Sequence, residues 1–167
     1  CLLTQDAANA LAAVQKSAEQ QGLSLKIFDC YRPQQAVDHF VRWAKDLDDT
    51  KMKQTFYPAV AKTELFAKGY IAEKSGHSRG STLDLTLVSL DPDSPDIGEL
   101  KMGTDYDYFD PLSHTDNPAI SGAETDHRQT LKKLMSDHGF KNLAEEWWHY
   151  TLENEPYPDT YFDVPVQ

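Results

Sequence analysis

A histidine and an aspartate stand seven residues apart in the stretch Ser75-Gly76-His77-Ser78-Arg79-Gly80-Ser81-Thr82-Leu83-Asp84. Imidazole and carboxylate both ligate zinc. Gly76 and Gly80 let the backbone turn, so His77 can fold back toward Asp84. Taken alone, the pair fits a hydrogen-bonded polar loop equally well. A second group, Glu145-Glu146-Trp147-Trp148-His149-Tyr150, offers a third ligand and a free carboxylate. A hydrolytic zinc site uses three protein ligands, an open position for water, and a carboxylate to take that water's proton. Taken alone, His149 also suits a hydrogen-bonded core histidine, and its aromatic neighbours suit core packing. Glu146 and His149 are three apart, so an ideal strand would point them to opposite faces. They share a site only if Glu146 sits at an irregular strand entry or a bulge intervenes. Arg32, framed by Tyr31 and Pro33, could stabilise the oxyanion formed when water attacks an amide carbonyl. The alternative is a salt-bridged surface arginine. Of the other histidines, His39 and His138 fall in predicted helices as surface residues, and His114, in a polar turn, is a reserve ligand.

The elements that must carry these groups follow from periodicity. Thr4 caps a predicted helix with Ala7, Leu11, Val14 and Ala18 on one face and Gly22 as its stop. Leu23, Leu25 and Ile27 alternate with polar residues, which predicts a strand running into Asp29-Cys30-Tyr31-Arg32. Pro33 suits the first turn of a second helix with Val37, Phe40, Val41 and Ala44 on its apolar face. Residues 46–58 read as a polar loop, 75–82 as a Ser- and Gly-rich turn, and 91–98 as a turn-rich insertion. Leu83, Leu85 and Leu87 define a strand with Asp84 on the other face. Ser121 and Glu124 form a capping box for a helix that uses Leu131, Leu134 and Met135 and stops at Gly139. Trp147 to Leu152 reads as a short buried strand, and the proline-containing tail as a surface wrap. The expected fold is α+β: a single domain over 1–167, with helices packed on a mainly antiparallel sheet that carries the site.

The chain has 16 basic and 27 acidic residues, a formal charge of −11. That balance disfavours nucleic acid and anionic membrane as partners. No apolar run approaches the ~20 residues of a membrane span. Cys1 and Cys30 cannot form a four-thiolate zinc cage. They allow a disulfide, two buried thiols or a lipidated Cys1. The expectation adopted is the disulfide, which favours the periplasm over the cytoplasm. The chain opens on Cys1 without a Met or signal-peptide core, which reads as a processed or incomplete start.

Asp29-x-Tyr31-Arg32-Pro33, Ser75-x-His77-Ser78-Arg79-Gly80-Ser81-x-x-Asp84-Leu85-Thr86-Leu87, Met102-Gly103-Thr104-x-Tyr106-Asp107, Glu146-Trp147-Trp148-His149-Tyr150 and Glu155-Pro156-Tyr157-Pro158 occur in that order. Together they resemble the zinc D-Ala-D-Ala dipeptidases, the family that includes vancomycin-resistance dipeptidases. The resemblance implies one zinc ion on His77, Asp84 and His149, with Glu146 as general base and acid and Arg32 as transition-state stabiliser. It implies that Asp107 binds the ammonium of a small D,D-dipeptide and that Ser75 lies beside the substrate. It also implies a segment before position 1 that supplies a site tyrosine, and a small residue where this chain has Cys30. Two other functions stay open at this point: a D,D-carboxypeptidase acting on longer peptidoglycan peptides, and a catalytically silent zinc-binding module.

Overall fold

The computed structural model describes residues 1–93 and 98–166. Helix α1, Gln5–Glu19, starts where the Thr4 side chain accepts from the Ala7 amide, and it buries Ala7, Val14 and Ala18. The chain turns at Gly22 into strand β1, Leu23–Asp29. Helix α2, Gln34–Lys45, follows Pro33, which lacks an amide hydrogen and costs the helix start nothing there. Residues 46–58, expected as loop, include a one-turn helix α3, Lys53–Phe56. The chain around it contributes to a small second core of Ala44, Tyr57, Val60 and Leu65, against which Phe56 packs.

Strand β2, Thr82–Ser89, is the central strand, with Leu83, Leu85 and Leu87 fully buried on one face. It pairs antiparallel with β1, with the two-residue β3, Gly98–Glu99, and with β5, His149–Leu152. Strand β4, Phe140–Asn142, closes the far side of β5, giving the order β1-β2-β5-β4. Helix α4, Ala123–Ser136, buries Leu131, Leu134 and Met135. With α1 it covers the leucine face in one cluster that includes Trp147, Trp148 and Tyr150. The capping box expected at Ser121 does not form. Gly122 takes the cap position without a side-chain bond, its positive φ turning the chain into the helix. The segment expected as an insertion over 91–98 falls largely outside the described residues.

Strand register sets the frame of the polar side chains in two ways. Asp29 stands opposite Asp84, and Asp84 opposite His149, so three polar side chains from three strands form one row. The β1–β2 ladder is irregular between Ile27 and Asp29, which lets the chain leave the sheet just before Arg32. The tail after β5 straps across this region. Gln34 donates to the Phe162 carbonyl, Phe162 to the Ser78 carbonyl, and the Tyr31 hydroxyl bonds Val164.

Candidate active site

His77 sits in a 3₁₀ turn, Gly76–Arg79, that feeds β2. Ser75 caps the turn by accepting from the His77 amide, and Gly80 ends it at φ 76°, where a side chain would strain. A Cβ on Gly76 would lie 2.7 Å from the Thr82 hydroxyl, so the turn tolerates no side chain there. His77 is 2% exposed, and its Nδ1 lies 2.7 Å from the Cys30 carbonyl. A carbonyl only accepts, so Nδ1 carries the hydrogen and Nε2 is left as a lone-pair donor. That Nε2 lies 3.4 Å from Asp84 Oδ1. His149 brings its Nδ1 to 3.0 Å from the same oxygen and 3.4 Å from Glu146 Oε2.

One ligand atom from each of His77, Asp84 and His149 falls within 4.8 Å of the others, the one such group among the described residues. Asp84 Oδ1 is buried without a hydrogen bond of sound geometry, although two imidazole nitrogens face it. An orphaned carboxylate oxygen ringed by lone-pair donors is what a metal cation satisfies, so these residues fit one. The other Asp84 oxygen accepts from the Tyr106 hydroxyl at 3.1 Å, a partner that orients the carboxylate. Burial opposes charge on Asp84, but His77 and His149 outweigh it and hold the carboxyl below its usual range. His77 is correspondingly raised: burial lowers it and Asp84 more than compensates.

Glu146 precedes β5 in a turn, with its amide donating to Leu143 and its carbonyl accepting from His149. The turn resolves the parity conflict, because Glu146 is not yet in the strand that presents His149. Burial pushes its carboxyl up to about 8, with nearby Asp84 and Asp107 adding to the shift. A dication beside it would favour its ionised form. Arg32 donates through Nε and Nη2 to Asp29 Oδ2 at 2.9 and 2.5 Å and lies 5.0 Å from the Phe40 ring centroid. Asp29 and Phe40 together fix the guanidinium plane. The Ser78 hydroxyl holds the Arg32 carbonyl at 2.7 Å, and the Arg32 amide donates to the His77 carbonyl, so the two site segments are stitched directly.

Asp107 has φ 58°, the one non-glycine residue with positive φ among those described. Burial, with Asp84 next, pushes its carboxyl up to about 7. Arg32, Ser75, His77, Asp84, Asp107, Glu146 and His149 all line one cavity of about 210 Å³, so the residues the resemblance implied for metal, catalysis and substrate meet there. Tyr70, Phe109, Leu143 and Phe40 supply its apolar walls. The reserve ligand His114 is outside the ligand group; it ends a 3₁₀ turn, and its carbonyl accepts from Arg128. His39 is exposed, and His138 ties the end of α4 to α1 through the Ser17 hydroxyl at 2.8 Å.

Three contributors escaped the sequence reading. Tyr106 bonds Asp84 and stacks on Phe28 at 4.4 Å. Asp29 clamps Arg32. Arg128, fully buried in α4, donates to the carbonyls of Met102, Leu112 and His114, pinning the loop that carries Tyr106 and Asp107. Only Asp29 and Tyr106 had a signal, as members of the quoted motifs; an arginine in an amphipathic helix reads as a surface residue.

The peptidase M15 family model, described as D-ala-D-ala dipeptidase, matches residues 1–167. The chain belongs to this family. It is 47% identical over 158 residues to a D-alanyl-D-alanine dipeptidase of Streptomyces coelicolor, covering 94% of this chain and 76% of that protein. A D-alanyl-D-alanine dipeptidase of Enterococcus faecalis is 46% identical over 98% of this chain and 79% of its own length. An Escherichia coli protein of the same name is 33% identical over 91% of this chain and 67% of its own length. A variant of the vancomycin-resistance D,D-pentapeptidase VanY, solved with Zn(II), superposes with a TM-score of 0.50 at 14% identity, covering 91% of this chain and 73% of that one. This last likeness concerns the fold. A dipeptidase of the M15 family thus accounts for the antiparallel α+β architecture and for the order of the motifs.

Proposed function

We infer that this M15 family member is a zinc-dependent dipeptidase that cleaves D-Ala-D-Ala to two D-alanines. The observation that carries the reading is the convergence of His77, Asp84 and His149 on an unsatisfied buried oxygen, with Glu146 Oε2 3.4 Å from the His149 ring. Zinc held by these three side chains supplies Lewis acidity and lowers the pKa of water. Glu146 is then the group that accepts the proton of the attacking water and returns it to the leaving amine. Arg32, locked by Asp29 and Phe40, presents fixed positive charge to the developing oxyanion without reorganising during the reaction. Asp107 is the acceptor for the substrate ammonium, and Ser75 lies beside the peptide at the cavity wall.

The placement of Asp107 in the same cavity as the ligand group, where it could take a free ammonium, supports a dipeptide over a longer peptidoglycan stem. The presence of both Glu146 and Arg32 in it supports turnover over a silent zinc module. The test is an assay of zinc-loaded protein on D-Ala-D-Ala, N-acetyl-D-Ala-D-Ala and L-Ala-L-Ala. Cleavage restricted to the free D,D-dipeptide is the expected result. Equal cleavage of the acetylated compound would favour the carboxypeptidase, and no cleavage of any would leave the silent module.

We further propose the periplasm as its compartment. The Cys1–Cys30 disulfide supports this, because structural disulfides persist in oxidising compartments. Mass mapping under non-reducing conditions of protein taken directly from cells should find the pair joined. Two free thiols would point to the cytoplasm.

A further inference from the structure

Cys30 lies one residue past the last pair of the β1–β2 ladder, Asp29 with Asp84, so strand pairing does not extend to its carbonyl. Yet that carbonyl is the acceptor that fixes the His77 ring, at 2.7 Å from Nδ1. Three links hold Cys30 and its neighbour in place. The Cys30 amide donates to Asp29 Oδ1 at 2.8 Å, the Tyr31 amide donates to the Leu2 carbonyl at 3.1 Å, and the sulfur is bonded to Cys1 with the Cα atoms 5.5 Å apart. The segment beginning at Cys1 continues to the other side of the same ring. The Thr4 amide donates to the Gly80 carbonyl at 2.7 Å, and the Thr4 hydroxyl meets the Ser81 hydroxyl at 2.7 Å. Residues 1–4 therefore bridge the strand exit that supplies the Cys30 carbonyl and the turn that supplies His77, with the disulfide anchoring one end.

We propose that the Cys1–Cys30 disulfide is a positioning element of the metal centre, fixing the carbonyl that orients His77 and thereby setting the affinity for zinc. This rests on the reading of His77 as a metal ligand. A partner that fixes the tautomer and ring angle of a histidine ligand contributes about 10–100-fold to metal affinity. Breaking the sulfur link removes the one covalent anchor of Cys30 and leaves its carbonyl positioned by hydrogen bonds alone, those of the Cys30, Tyr31 and Arg32 amides, so the ring's acceptor is less firmly fixed.

The experiment measures zinc affinity by competition with a chromophoric chelator, for the oxidised wild type, Cys1→Ser, and the Cys1→Ser/Cys30→Ser double variant. Ser17→Ala serves as a control, since it removes the α1 side contact to His138 far from the site. Thermal melts of the metal-free proteins accompany each measurement. The expected result is zinc binding weakened about tenfold or more in both cysteine variants, with Ser17→Ala binding as the wild type does. Long-range ¹H–¹⁵N spectra of the metal-free protein should show His77 as the Nδ1–H tautomer in the wild type and as a mixture in Cys1→Ser. Wild-type affinity in the cysteine variants would overturn the proposal, as would an equal loss in Ser17→Ala, which would reduce the disulfide to a general staple. An oxidised wild type that takes up no zinc is a separate outcome: it would remove the metal centre and this proposal with it.

Discussion

Glu146 and Asp107 carry the two residue-scale predictions. Glu146 lies at hydrogen-bond range of a ligand ring and is not itself in the ligand group. Glu146→Gln should therefore keep its zinc, measured by metal analysis, while turnover falls by about 10²–10⁴-fold, as expected for a lost acid–base group. Wild-type turnover in that variant would reassign the base. Asp107→Asn should raise KM for free D-Ala-D-Ala while leaving kcat nearly unchanged, because it removes an anchor rather than a reacting group. The same variant should treat the N-acetylated dipeptide no differently from wild type, and a fall in kcat with unchanged KM would refute the anchoring role. The sequence made both residues legible through their motifs. It could not make Tyr106 legible as the partner of Asp84, since that contact depends on a loop folding over β2.

At the scale of elements, α4 does more than cover the sheet. Arg128 enters the interior and satisfies three carbonyls of the loop over 102–114. Burial lowers its guanidinium to about 10, so it stays charged at neutral pH, with no carboxylate paired to it among the described residues. Arg128→Met would leave the Met102 and Leu112 carbonyls without that donor, each costing about 1–3 kcal/mol, while the His114 carbonyl keeps the Asn117 amide. Urea unfolding should accordingly register a loss of at least about 2 kcal/mol, with KM for the dipeptide rising because Asp107 rides on the same loop. A change within about 0.5 kcal/mol, the range of ordinary surface substitutions, would mean the loop holds itself. Helical periodicity identified α4 through Leu131, Leu134 and Met135 but said nothing of Arg128, since period reports only which positions are apolar. The helix start was misplaced for a related reason. Ser121 and Glu124 have the spacing of a capping box, yet the positive φ of Gly122 ends the loop one residue later.

The whole molecule assembles its ligands from a turn, the central strand and a strand late in the chain. Because that arrangement exists only in the folded state, zinc should stabilise the fold. At a free concentration of 1,000 times Kd, binding contributes about 4 kcal/mol. Stripping the metal with a chelator should lower the urea midpoint accordingly, and an unchanged midpoint would argue against zinc at these residues. The α+β class and the order of the helices and main strands were legible from periodicity. The strand order β1-β2-β5-β4 was not, because alternation tells which face is buried but not which strand lies beside which. The row of Asp29, Asp84 and His149 comes from that unseen order, and it has a consequence for the birth of the protein. Each pairing in the row joins segments far apart in the chain, the kind of contact that forms slowly because loop closure must precede it. Synthesis delivers His77 and Asp84 well before His149. A chain short of β5 carries His77 and Asp84 but lacks His149, so the three-ligand chelate is complete only when β5 has paired with β2.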